Sequence, residues 1–243
     1  MAELSRVLEW DSNFFGKQIA QINAVNAEDS AIFKEIDTLF HKGVECIYLS
    51  TDRPIDLSGY DSLTADKKRT YIHETPEYQQ VALPDKIGIE CPSYTGHPSD
   101  LYELALQSGE YSRFRVDPHF AKEDFENLYK KWIDNSMHEG FADYVIAAIS
   151  PSPIGLITAK REHDRIKIGL IATDTKYRGK GIGKQLMRTI LNKAAESNLK
   201  VEVVTQADNI PACRFYESLG FRVLDETLIY HIWNGRDSKK IKQ

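Results

Sequence analysis

The residues best placed to do chemistry lie in two short stretches late in the chain. In "RGKGIGK", Arg178 to Lys184, three glycines (Gly179, Gly181 and Gly183) alternate with cations and one isoleucine. Glycine costs backbone entropy wherever it is ordered, so this density marks a turn in which side chains would obstruct something. A strand-like run, "RIKIGLIATD", leads into the turn, and an apolar stripe of Leu186, Met187, Ile190, Leu191 and Ala194 leads out of it. Strand, glycine turn and helix start together converge unpaired amide N–H groups on the positive end of a helix dipole, which is a site for an anion. Arg178, Lys180 and Lys184 add charge at its rim.

Three anion-binding loops fit unequally. A Walker A loop needs a hydroxyl after its Gly-Lys pair, and Gln185 stands there, so magnesium ligation fails. A dinucleotide fingerprint needs GxGxxG after a parallel strand, whereas this loop is GxGxG and its preceding strands read as antiparallel. The second stretch, "NIPACRFYESLGF", favours the third. It offers Asn209 as a helix cap, Pro211 in the first turn and Gly220 as the stop around one short helix.

"RGKGIG", as Arg-x-x-Gly-x-Gly, resembles the pyrophosphate loop of the GNAT superfamily of acyl-CoA-dependent N-acetyltransferases. Asn209, Ala212, Tyr216, Gly220 and Phe221 are similar to that superfamily's N-x-x-A-x-x-x-Y-x-x-x-G-F pattern. The resemblance is strongest over Ser112 to Trp233. There "SRFRVDPHF", "LYKKWIDNS", "IGLIA" and "VVTQADN" look like the dTDP-fucosamine (dTDP-4-amino-4,6-dideoxygalactose) acetyltransferase branch, which works in cell-surface polysaccharide synthesis. "LEWDSNFFGKQIAQI" is similar to the "W-x-x-x-FFG" start of that branch, and much of Val44 to Gly109 carries no resemblance.

The resemblance implies an α/β (α+β) fold: a GNAT-like mixed, largely antiparallel sheet flanked by helices, with a smaller N-terminal α/β domain. Residues 1–100 would border the acceptor site, and 101–243 would bind acetyl-CoA. The implied reaction is N-acetylation of an amino sugar carried on a nucleoside diphosphate, by direct attack in a ternary complex. Strand "IGLIATD" would splay from "VVTQ", so that Ile171, Ala172 and Thr173 hold pantetheine as an added strand would be held. The N–H of Ile171 or Thr173 would meet the thioester oxygen; Thr173 stands where the family usually has valine. Arg178, Gly179, Lys180, Gly181, Ile182, Gly183 and Lys184 would hold the pyrophosphate, with Asn209 on pantetheine.

Tyr216 would act as general acid, since a phenol with a pKa of about 10 stays protonated at pH 7 and roughly matches a thiol leaving group. Gln206 would line the acceptor pocket. Arg113 and Arg115 would clamp an acidic or phosphorylated acceptor, because planar guanidinium meets phosphate bidentately; surface ion pairs explain them about as well. No carboxylate declares itself as base. His138 and Glu139 lie near the acceptor groove, and deprotonation through water is expected. Trp10, Phe14 and Phe15 would stack on a base or pack a core. Rival readings are another acceptor (a protein N-terminus, a lysine or a small amine), a non-enzymatic acyl-CoA-binding module, and a nucleotide site that prefers NAD.

The rest of the chain must position these groups. With 243 residues it can fold without staples. A net charge of −5 and a pI near 5.8 give no footprint for nucleic acid. No run of about 18 apolar residues suggests a membrane span, and "MAELSRVLEW" lacks a secretory stretch, so the cytoplasm is the expected location. Cys46, Cys91 and Cys213 read as reduced thiols, and the seven histidines form no metal-binding cluster. The expected partner is a small molecule, with a second copy of the chain as a candidate.

Periodicity predicts helices over Ala27 to Lys42, Ala121 to Met137 and Gly183 to about Asn198. It predicts strands at "VECIYLST", "DYVIAAIS", "IGLITAKR", "RIKIGLIATD", "LKVEVVTQ" and "LIYHIW". Turn formers from Leu83 to Asp100 suggest a domain boundary, and the tail "GRDSKKIKQ" reads as a solvated end.

Overall fold

Apolar residues at helical or strand spacing form the elements that bury them. A computed structural model describes residues 4–74, 76–78, 80, 87–91 and 93–235. Residues 83–86 and 92 of the turn-rich segment, and the tail beyond Gly235, lie outside the described residues. The fold is mixed α/β, with ten strands, largely antiparallel, and seven α-helices among those residues. It divides into two compact units, 1–68 with 116–119 and 226–243, and 69–115 with 120–225. The expected cut at residue 100 falls inside the second unit.

In the first unit, β1 (Ser5–Val7), α1 (Glu9–Phe15), β2 (Ile19–Asn23), α2 (Asp29–His41) and β3 (Cys46–Thr51) follow in order. β2 and β3 pair in parallel from Ile19 against Cys46, and α2 is the crossover between them. Its Ile32, Ile36 and Leu39 recur at helical spacing and are buried with Ile22, Ile47 and Leu49. Phe15 is buried, whereas Trp10 is 40% exposed and stacks on Phe14 at 5.0 Å. Of the aromatic trio, Phe15 takes the core role.

β4 (Asp61–His73) and the last strand each give residues to both units. In the second unit come β5 (Gly88–Glu90), α3 (Ser99–Ser108), α4 (Arg113–Val116), α5 (Lys122–His138), β6 (Tyr144–Ile149), β7 (Pro153–Arg161) and β8 (Arg165–Thr173). Val116 itself belongs to the first unit. The 3-10 turn Thr175–Tyr177, α6 (Ile182–Glu196), β9 (Lys200–Gln206), α7 (Ile210–Glu217) and β10 (Arg222–Trp233) complete the order. The strands run β1-β2-β3-β10-β4-β9-β8-β7-β6-β5.

β6, β7 and β8 form an antiparallel meander, while β8 and β9 pair in parallel with α6 between them in the chain. Leu186, Met187 and Ile190 of α6 pack on Ile157, Ile166 and Val201. Several elements depart from the sequence reading, β10, α3 and β4 among them. β10 begins six residues before "LIYHIW", because its first half is exposed and mixes charged residues with Val223 and Leu224, so it shows no buried alternation. α3 starts at Ser99, at the end of the stretch read as boundary, and buries Leu101, Leu104 and Ala105 just beyond it, where no helix was expected. β4 went unread.

Candidate active site

The site grows out of an irregularity in β8. Ala159 pairs with Ile168 but Ile157 pairs with Ile171, so two residues, Gly169 and Leu170, stand opposite Thr158 alone. This is a bulge, a feature that re-aims backbone next to functional sites. The Leu170 N–H donates to Thr158 Oγ1 at 2.9 Å, and a Cβ on Gly169 would sit 2.8 Å from that oxygen. Past the bulge the Asp174 N–H donates to Ile154 O at 2.9 Å. Strand alternation then turns the backbone of Ile171 and Thr173 away from β7.

On that far edge β9 pairs with β8 only from Arg165 against Lys200 to Ile168 against Val203. The expected splay is thus present. Ile171 to Thr173 on β8 and Gln206 at the end of β9 lie beyond the last pair. Thr173 O accepts the Arg178 Nε–H at 3.3 Å, so the loop folds back over the strand end.

The loop itself has the conformation that glycine permits. Gly179 and Gly181 have φ of +77° and +80°, in the left-handed region where other residues are strained. Asp174 accepts from Lys176 N–H at 2.8 Å to start the turn, and the Thr175 N–H donates to Gln107 Oε1 of α3 at 3.2 Å. Gly181 caps α6 and accepts from Gln185 N–H at 3.1 Å. The amides just before Gln185 have no intrahelical carbonyl to bond, and they open the helix at its positive end. A Cβ on Gly183 would lie 3.3 Å from Thr173 Oγ1, so glycine keeps loop and strand end close. Arg178, Lys180 and Lys184 are exposed around it, with Lys180 Nζ over the Tyr177 ring at 4.8 Å. These residues suit the diphosphate of an acyl-CoA.

Asn209 caps α7, its Oδ1 accepting from the Ala212 N–H at 3.2 Å, which leaves its amide NH2 free of that duty. Asn209 N–H donates to Gln206 O at 3.0 Å, so the end of β9 and the start of α7 form one turn. About two helical turns further, Tyr216 is 4% exposed among Tyr71, Phe215 and Phe221. Burial, then Cys213 and Tyr71, push its phenol above the usual tyrosine range, so it stays protonated. It can give a proton and is a poor base.

The fold places beside Tyr216 groups that the sequence did not advertise. Tyr71 of β4 lies 5.6 Å from it, ring to ring, and donates to Glu217 Oε1 at 2.8 Å. Arg69 Nη1 approaches the Tyr71 oxygen at 3.5 Å and Cys213 Sγ at 3.7 Å. Arg113 and Arg115 sit on α4, their guanidinium groups over Phe114 at 4.5 Å and Phe125 at 5.7 Å. His138 and Glu139 are exposed at the end of α5. Among the described residues no cluster of His, Cys, Asp and Glu could hold a metal, and no helix is long and apolar enough to cross a membrane.

With this geometry in view, comparison with known proteins is informative. Residues 100–221 match the Acetyltransferase (GNAT) family. The spore coat polysaccharide biosynthesis protein SpsD of Bacillus subtilis is 22% identical over 241 residues, 95% of this chain and 83% of that protein. N-alpha-acetyltransferase 30 of Saccharomyces cerevisiae is 28% identical over 144 residues, 49% of this chain and 81% of that protein. The crystal structure of a GCN5-related N-acetyltransferase from Sphaerobacter thermophilus superposes with a TM-score of 0.62 at 12% identity, covering 95% of this chain and 76% of the other.

Proposed function

We propose, for a chain that belongs to the acetyltransferase (GNAT) family and is thereby an acyl-CoA-dependent N-acetyltransferase with acetyl-CoA as donor, that the acceptor is the amino group of a nucleoside-diphosphate-linked amino-deoxy sugar. One observation carries the choice of acceptor. The family match ends at residues 100 and 221, whereas the likeness to SpsD runs through 95% of the chain. Residues 1–100, the proposed N-terminal domain, thus lie outside the family match but within the likeness to a protein named for polysaccharide biosynthesis. A cytoplasmic location follows the same reading.

In this reading the loop amides and Arg178, Lys180 and Lys184 bind the diphosphate of the donor, and the Ile171 to Thr173 edge holds its pantetheine. The N–H of Ile171 or Thr173 polarises the thioester carbonyl. The amine nitrogen attacks that carbon, a C–N bond forms and the C–S bond breaks. Tyr216 protonates the departing sulfur, and the surplus amine proton passes to water, which restores the phenol. Arg113 and Arg115 clamp the acceptor's phosphates, and Gln206 borders its amine.

The test is thiol release from acetyl-CoA against dTDP- and UDP-linked amino sugars, peptides and polyamines. Turnover on a nucleotide amino sugar is expected. Turnover confined to peptides would favour a protein N-terminus, to which the yeast relative's name points, and would overturn the sugar reading.

A further inference from the structure

A pocket of about 250 Å3 opens at the β8 bulge. Its walls are Trp132 and Ser136 of α5, Phe141 and Ala142 beyond it, and Thr158 and Leu170 across the sheet, with Ala159, Lys160 and Gly169 completing the lining. Leu170 immediately precedes Ile171, so the pocket adjoins the edge assigned to the thioester. Its volume suits one small ring rather than an extended chain.

The chemistry of the walls narrows the occupant further. Trp132 is half-buried and Phe141 is 52% exposed, so both offer aromatic surface to a ligand. Ser136 and Thr158 bring hydroxyls. The one charged residue of the lining is Lys160, and its ammonium is already held by Gly140 O at 2.9 Å and Asp143 Oδ1 at 3.1 Å. No carboxylate lines the pocket. On the surrounding elements, Asp134 of α5 accepts from the Tyr102 hydroxyl at 2.7 Å, Lys167 of β8 pairs with Glu162 at 2.9 Å, and His138 and Glu139 are exposed beyond α5. A cationic amine would meet no carboxylate in this lining. Desolvation without an anion favours the neutral form of an amine, the form that attacks a thioester.

We propose that this pocket takes the acceptor as an uncharged amine on a small ring, with the ring face against Trp132, and that its apolar walls, rather than a carboxylate base, keep the amine deprotonated. The inference rests on the acetyltransferase reading above and adds the state in which the acceptor binds. Trp132 and Phe141 then set acceptor specificity, and the bulge positions both substrates.

The test uses Trp132→Ala, Trp132→Phe and Ser136→Asp in the full chain, with thiol release measured over pH on the best acceptor of the panel and acetyl-CoA binding measured by calorimetry. Trp132→Ala should lower the acceptor kcat/KM about tenfold or more, with Trp132→Phe recovering most of it and acetyl-CoA affinity unchanged. Ser136→Asp places an anion beside the bound amine, so the acidic limb of kcat, which reports groups in the complex, should move up by about one pH unit. An unchanged acceptor kcat/KM in Trp132→Ala, or a limb that stays in place in Ser136→Asp, overturns the proposal. Failure of every nucleotide amino sugar sinks the sugar reading alone, since the variants are then measured on whichever amine reacts. A polycation as best acceptor, or no acetylation of any amine, overturns the pocket's role directly.

Discussion

Gly155 of β7 and Ile182 of α6 stand so close that a Cβ on the glycine would lie 2.9 Å from Ile182 Cγ2 and 3.0 Å from Leu186 Cδ1. Ile182 is the first residue of the helix whose amides face the proposed diphosphate site. The absence of one methyl group on β7 thus sets how near the sheet that helix begins. Because isoleucine is stiff at χ1, the contact cannot relax by a side-chain swing alone. Gly155→Ala should cost about 1–3 kcal/mol in urea unfolding and raise the KM for acetyl-CoA several-fold. A variant with wild-type stability and KM would show that the helix is placed by other contacts.

Tyr216→Phe keeps the ring in its aromatic surroundings and removes the proton that the proposed mechanism gives to the leaving sulfur. The kcat should fall by about 10²–10⁴-fold while calorimetry finds acetyl-CoA bound as in the wild type. An unaltered kcat would reduce Tyr216 to packing.

Alkaline stability should report Tyr71 and Tyr216 together. Burial raises both phenols above the ordinary tyrosine value, so the folded chain holds protons that the unfolded chain releases from about pH 10 upward. Stability is then steady below that pH and declines as pH rises above it. Denaturant midpoints measured from pH 8 to 11 should fall in the wild type and fall less steeply in Tyr71→Phe and in Tyr216→Phe. Parallel curves for all three proteins would contradict this.

Acid stability of the first unit should centre on Asp117. Its fully buried carboxylate accepts from His231 Nδ1 at 2.6 Å, Trp233 Nε1 at 3.0 Å and the His119 N–H at 2.9 Å. Burial alone would raise its pKa, but the bonds from His231 and His119 outweigh burial and lower it. The stabilisation is therefore present above the unfolded value of about 3.9 and lost as pH falls through the lower folded one. Asp117→Ala should cost about 3–5 kcal/mol at pH 7, because the buried His231 Nδ1 and Trp233 Nε1 both lose that acceptor, at about 1–3 kcal/mol each. Asp117→Asn should flatten the acid limb of the unfolding curve; a limb as steep as the wild type's would assign acid unfolding to other carboxylates.

What the sequence reveals depends on whether a residue's partners are near it in the chain. α5 and α6 were legible because their apolar residues repeat at helical spacing, and the loop because three glycines follow a strand. β4 was not. Its "DSLTADKKRTYIH" buries Ala65 and Thr70 to Ile72 by what the fold sets beside it, and the charges between hide any alternation. Tyr71 met Glu217 only through a partner 146 residues away, and Asp117 met His231 across 114. Trp132 was read as part of a helical stripe, but it is only half-buried and lines the bulge pocket. The sequence also held no sign that Gly169 sits in a bulge, since an isolated glycine in a strand looks the same in regular pairing.

The pairing of Cys46 with Trp233 has a consequence for synthesis. β3 leaves the ribosome well before β10, the strand that covers its edge from Leu228 to Trp233. Until then Ile47 and Leu49 lack Tyr230 and Ile232, which complete their cluster. β3 must wait, with an apolar edge uncovered, for β10 to emerge, and such an edge is where a nascent chain is most prone to aggregate.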